Sequence, residues 1–187
     1  DPLATPVDTT IYFLSVTDNN GCKGTDSVLV NVAPLPQVAT INDSAICTGT
    51  SIVLSTTGSS GNNYSWSPST GLSDPNSANP QASPGVETKY VVTATTNLGC
   101  TAKDSVTISL NPLPAITALG DTTVCPGANS QLTAVASGNN IFTWFPSIAL
   151  NDTTIANPVA SPLQTTKYYV RVTDNNNCNN TDSVTIS

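Results

Sequence analysis

The sequence predicts an all-β chain of antiparallel β-sandwich repeats with a period of 78 residues. Three observations predict it. The chain repeats itself without insertion or deletion, its apolar residues alternate with period two, and no segment has the length and 3.6-residue periodicity of a helix.

The period is fixed by rare residues. Cys22, Cys100 and Cys178 are 78 apart (100 − 22 and 178 − 100), as are Cys47 and Cys125 (125 − 47). The same shift carries Tyr12 onto Tyr90 and Tyr168, Asp26 onto Asp104 and Asp182, Trp66 onto Trp144, Asp74 onto Asp152, and Pro34 onto Pro112. It also carries "ANPQASP" (Ala78 to Pro84) onto "ANPVASP" (Ala156 to Pro162). The natural joints are "APLPQ" (Ala33 to Gln37) and "NPLPA" (Asn111 to Ala115), because paired prolines cannot donate to a sheet and favour stiff, extended backbone. In that frame residues 1–34 are the C-terminal half of a preceding repeat, and 35–112 and 113–187 are two further repeats. The chain reads as a window cut from a longer array.

The elements follow in order. Tyr12, Leu14 and Val16 share one face of a first strand, and the Asn- and Gly-rich stretch after it reads as a hairpin turn, since both residues tolerate positive φ. "SIVLSTT" (Ser51 to Thr57) and "NYSWSPS" (Asn63 to Ser69) are strands of the second repeat, with Tyr64 and Trp66 on one face. "KYVVTAT" (Lys89 to Thr95) places Tyr90, Val92 and Ala94 together, and "DSVTISL" turns Val106, Ile108 and Leu110 inward and Ser105, Thr107 and Ser109 outward. The third repeat restates this pattern with Phe142 and Trp144, then Tyr168, Val170 and Val172. Short strands, frequent turns and one Trp per repeat specify a sandwich.

Charged residues are 9% of the chain and its net charge is −7, against about 25% charged residues in ordinary globular proteins. With only five Lys and Arg the surface has almost nothing to replace phosphate counterions, which excludes nucleic acid and anionic membrane as partners. No apolar run approaches the roughly 20 residues of a membrane helix, and no signal peptide is visible. The chain has no His, so the usual Ser-His-Asp and Cys-His machinery cannot be assembled, and its acids are scattered through turns and strand starts. The expectation is that the segment is not an enzyme.

Five cysteines with no C-x-x-C spacing and no His point to disulfides in an oxidising compartment rather than to zinc. Within the frame above, Cys47 pairs with Cys100 and Cys125 with Cys178, each 53 apart (100 − 47 and 178 − 125), leaving Cys22 unpaired. Each such loop would stabilise a thin core by roughly 4 kcal/mol on the chain-entropy relation. The competing frame joins Cys22 to Cys47 and Cys100 to Cys125 across the proline joints. Trp66 and Trp144 are expected in the core, the alternative being a sugar-binding platform. Asp18 and Asp174 with their Asn neighbours, and Asp74 and Asp152, have the oxygen chemistry of a calcium site, but turn chemistry explains the same residues without metal. No other cofactor is expected.

"CTGTSIVLS", "YSWSPSTGLSDPNSANPQASP", "TKYVVTATTNLGCTAKDSVTISL" and the joining "NPLP" resemble the PKD-like, immunoglobulin-like repeats of very large secreted surface proteins of the Bacteroidota, gliding-motility adhesins among them. "WFPS" for "WSPS" and "ALNDTT" for "GLSDPN" are departures of the third repeat. The resemblance implies tandem immunoglobulin-like sandwiches, an extracellular location at the bacterial surface and export by the type IX route. It also implies O-glycosylation at Asp-Ser/Thr followed by a small or apolar residue, which here would mark Thr9, Ser27, Ser44, Ser105, Thr122, Thr153 and Ser183. The function expected is a stalk or filament that presents a distal adhesive tip, with neighbouring repeats as partners. The alternatives are a module that grips extracellular polysaccharide or surfaces, and homopolymerisation in which one chain completes another's half-domain.

Overall fold

The computed structural model describes residues 1–138 and 140–187. Among them are seventeen strands and no helix. In chain order they are β1 (Thr10–Thr17), β2 (Lys23–Val30), β3 (Val38–Thr40), β4 (Ser44–Cys47), β5 (Ile52–Val53), β6 (Thr56–Gly58), β7 (Asn63–Ser67), β8 (Gln81–Ala82), β9 (Thr88–Thr95) and β10 (Thr101–Asn111). They continue with β11 (Ile116–Leu119), β12 (Ser130–Gln131), β13 (Thr133–Ala136), β14 (Ile141–Phe145), β15 (Val159–Ala160), β16 (Thr166–Thr173) and β17 (Asn179–Ile186).

By contact the chain divides into two compact units. One comprises Asp1–Asn42, Val53–Ala82 and Lys89–Val106, the other Asp43–Ile52, Ser83–Thr88 and Thr107–Ser187. This partition cuts through β10 rather than falling at the "NPLP" joint. Segment 43–47 leaves the second repeat's front half to pair with the end of β10, with Ser44, Ala45, Ile46 and Cys47 parallel to and opposite Ile108, Ser109, Leu110 and Asn111.

The strand order is that of an immunoglobulin-like sandwich. One layer carries β7, β9 and β10 as antiparallel neighbours, with the short parallel strand β4 on the far side of β10; β3 pairs with β6, and β5 with β8. The third repeat repeats this plan with β14, β16 and β17 in one sheet, and β11–β13 and β12–β15 as antiparallel pairs. Its counterpart of β4 is a parallel bridge from Thr122 to Ile186.

Period-two patterning places the core. Tyr90, Val92 and Ala94 on β9 and Tyr168, Val170 and Val172 on β16 are fully buried, while their neighbours face outward. In the second unit Trp144, Tyr168, Val170, Val184 and Ile186 from one layer pack on Leu132, Ala134 and Ala160 from the other. Each buried tyrosine satisfies its hydroxyl on backbone twenty residues upstream: Tyr90 donates to Thr70 at 2.9 Å and Tyr168 to Ile148 at 3.0 Å.

The β1–β2 hairpin has the same register as β16–β17, Tyr12 facing Val28 as Tyr168 faces Val184. Its apolar residues are nevertheless open. Leu14 and Val28 are 61% and 59% exposed, whereas their counterparts Val92 and Val106 are at 0% and 1%. Together with Leu3 and Phe13 they line a groove of about 750 Å³.

The Asp-Ser-Val signature has a structural task. Asp104 accepts from the Ser105 amide through one oxygen and from the Thr40 amide through the other, both at 2.8 Å, which fastens β3 to β10. Asp182 repeats this on Ser183 and on Ala118 of β11, again at 2.8 Å. The Ala118 and Ser183 amides hold the Asp182 carboxyl below the usual carboxylate range. A depressed folded-state value stabilises the fold above the unfolded value of about 3.9 and is lost as pH falls through the folded value. Because the carboxylate is largely solvated, Asp182→Ala should cost about 1 kcal/mol at pH 7. The difference between variant and parent in urea unfolding should shrink as pH falls through the lowered folded-state value; a difference independent of pH would contradict this role.

Candidate functional site: a disulfide clamp

The chemically distinctive site is a disulfide between Cys47 and Cys178, with Cα atoms 5.5 Å apart and a sequence separation of 131. Both cysteines lie in the same compact unit. Cys47 ends β4 and is held in a tight turn. Thr50 donates to its carbonyl from both the amide (3.0 Å) and Oγ1 (2.7 Å), and Gly49 takes the left-handed conformation at φ 83°. The next residue, Thr48, donates its amide to the carbonyl of Asn111 at 2.9 Å. Cys178 is fully buried at the turn between β16 and β17. Oδ1 of Asp174 accepts from the amides of Asn176 and Cys178, both at 2.9 Å, and Asn177 supplies the positive φ (61°) that the turn needs.

This corrects the sequence-based pairing. Neither Cys47–Cys100 nor Cys125–Cys178 forms, and Cys22, Cys100 and Cys125 are free thiols. Nor does Cys22 pair with Cys47, or Cys100 with Cys125. The reason is strand length. Cys47 lies opposite Asn111, the last residue of β10, whereas Cys100 directly precedes its first residue. Eleven residues at about 3.3 Å each put some 35 Å between those ends, against the 5.5 Å across the observed bond. In the third repeat the amide of Val124 donates to Ser187, just beyond β17, while Cys178 directly precedes that strand.

Trp66 and Trp144 are 3% and 2% exposed, and their indole Nε1 atoms donate to the carbonyls of Ser77 (3.0 Å) and Ile155 (2.9 Å). They are core residues and offer no platform to a sugar. The turn acids are occupied locally. Oδ1 of Asp18 accepts from the amides of Asn20 (2.9 Å) and Cys22 (2.8 Å), Asp74 accepts from Asn76 at 2.9 Å, and Asp152 accepts from the Thr154 amide and hydroxyl at 2.7 Å. The Thr154 amide is the largest influence holding the Asp152 carboxyl below its ordinary range. Among the described residues no group of three or more Cys, Asp or Glu side chains is arranged to hold a metal ion, and no helix is long and apolar enough to cross a membrane. Of the hydroxyls in Asp-Ser/Thr motifs, Thr9, Ser27 and Thr122 are exposed and Ser44, Ser105, Thr153 and Ser183 half-buried.

Sequence reasoning missed an outward-facing ladder on β14 and β16. Phe145 stacks on Tyr169 with ring centroids 5.4 Å apart, Lys167 lies over Tyr169 at 5.3 Å, and Arg171 over Phe145 at 5.6 Å. The second repeat has Ser67, Val91, Lys89 and Thr93 at these positions. The substitution of aromatics on a solvent face was the available signal.

No protein-family model matches the sequence, and no curated protein matches it. Solved structures with partial similarity include immunoglobulin-domain proteins and the cadherin domains of protocadherin gamma B7. The insect immune protein hemolin is 12% identical with a TM-score of 0.42, over 95% of this chain and 55% of that one. Sidekick-1 immunoglobulin domains 1–5 are 11% identical with a TM-score of 0.40, over 98% and 46%. DIP-gamma IG1+IG2 is 16% identical with a TM-score of 0.36, over 82% and 97%.

Proposed function

We propose that this chain is a spacer segment of a large secreted surface adhesin of the kind its repeats resemble, a stalk that holds a distal adhesive tip away from the cell. The observation that carries this reading is the Cys47–Cys178 bond. It ties the front segment of one repeat to the β16–β17 turn of the next, so it joins consecutive repeats within one compact unit. The invariant period, the stiff proline joints and cores that bury their aromatic residues suit a spacer. A disulfide belongs to an oxidising, extracellular setting.

Pulling the chain by its ends tests the proposal. The bond shunts tension past the segment it encloses, which holds nearly all of the buried core, so discrete unfolding steps should appear only after reduction. Reduction should release 131 residues, an added contour of about 450 Å. Smooth extension without steps in both states would remove the stalk reading.

A second reading is favoured by one observation. The Phe145–Tyr169 ladder gathers two of the chain's five cations beside exposed aromatic surface, which is suitable chemistry for an acidic polysaccharide. It would give the third repeat a gripping face that the second lacks.

A further inference from the structure

The three free cysteines share a pattern. Each stands in a backbone setting that one partner of the disulfide also occupies. Cys125 has the setting of Cys47. The amide of Ala128 donates to the Cys125 carbonyl at 2.9 Å as Thr50 does to that of Cys47, and Gly127 (φ 78°) stands where Gly49 does. Thr122 bridges in parallel to Ile186 as Ser44 pairs with Ile108. Cys125 is exposed, where Cys47 is half-covered.

Cys22 and Cys100 have the setting of Cys178. The Cys22 amide donates to Asp18 Oδ1 at 2.8 Å and the Asp18 amide to the Cys22 carbonyl at 3.0 Å, as Cys178 and Asp174 do at 2.9 Å each. Thr96 Oγ1 does the same for Cys100 at 3.1 Å. Gly21 and Gly99 take the positive φ of Asn177.

Similar turns alone would say nothing of a partner. The deciding fact is that at one pair of these positions the bond exists, and it joins a strand-end cysteine to the turn cysteine of the following repeat, 131 residues on. That separation is one 78-residue period plus 53 (178 − 125). We propose that every strand-end cysteine is one half of such a staple. Cys125 then takes the turn cysteine of a further repeat of this type placed after it in the same polypeptide. Cys100 and Cys22 are turn halves for strand-end cysteines of preceding repeats. Two thiols become one S–S bond, and their two electrons and two protons pass to a disulfide donor such as oxidised glutathione, which leaves as two thiols. The inference rests on the repeat and the observed bond, and it stands even if the array is not a stalk.

Two experiments test it. In the first, a copy of residues 110–187 is appended to the full chain, and the protein is folded in the reduced state, then exposed to oxidised glutathione and mapped without reduction. Cys47–Cys178 should persist, and Cys125 should be linked to the added copy's turn cysteine, its alkylation falling from essentially complete to near zero. A Cys125 that stays alkylatable, or that links between chains, overturns the proposal.

In the second, Cys47→Ser is made in the chain as it stands. Cys125 should remain alkylatable, and Cys178, freed of its bond but buried, should become alkylatable on denaturation, because the staple rule gives them no partner in each other. A Cys125–Cys178 bond, with tryptophan fluorescence unchanged, would instead establish pairing within a repeat and sink the rule.

Discussion

Replacing Cys47 and Cys178 together by serine lowers the unfolding free energy by about 3–5 kcal/mol. The upper figure is the loop-closure entropy of a loop of this length. The lower figure allows for structure retained in the unfolded chain. The comparison that matters is with the other thiols. Cys100→Ser and Cys125→Ser should each change the unfolding free energy by under about 0.5 kcal/mol, since neither is bonded. If Cys100→Ser costs as much as Cys47→Ser, the pairing within the second repeat is the real one and the clamp described above does not exist. Urea titrations of the oxidised variants are sufficient to decide.

Trp144→Ala is the second large effect, an expected loss of about 3–5 kcal/mol. Trp144 is 2% exposed and sits among Leu132, Ala134, Ala160, Tyr168, Val170, Val184 and Ile186. Truncation removes the largest side chain in that cluster. It also leaves the Ile155 carbonyl without its indole donor. Trp144→Phe restores most of the volume and none of the hydrogen bond, so it should fall between alanine and the parent. A loss below about 1 kcal/mol for the alanine variant in chemical denaturation would show that the indole is not the keystone of this core.

Much of the fold is legible in the residues. The alternation of Tyr90, Val92 and Ala94 predicts an inward face, and all three are fully buried. The shift that carries Trp66 onto Trp144 predicts equivalent core positions, and the two indoles make equivalent hydrogen bonds. Such local patterns are readable because burial acts on each side chain separately.

The disulfide was not legible, for a reason specific to repeats. Cys100 and Cys178 are the same position one period apart, so a rule that assigns Cys47 a turn cysteine cannot choose between them. The choice is made by the parallel register of β4 on β10, which carries Cys47 to the strand end far from Cys100. Parallel pairing of a four-residue strand leaves no periodic trace beyond that of any half-buried segment. The Asp-Ser-Val motif was legible as strand, though its Asp falls four residues into β10 and β17 and not at their start; the two-amide grip of Asp104 and Asp182 was not, since the second amide comes from a residue 64 positions away.

The clamp also imposes an order of events. When a chain is made or threaded from its N-terminus, Cys100 becomes available to Cys47 well before Cys178 does. Among unfolded conformers the 53-residue loop (100 − 47) closes more readily than the 131-residue one, by about 0.8 kcal/mol or roughly fourfold. Early oxidation therefore traps the wrong ring. The native bond requires the β16–β17 hairpin to be in place before an oxidant reaches Cys47, so maturation must run folding first and cross-linking second.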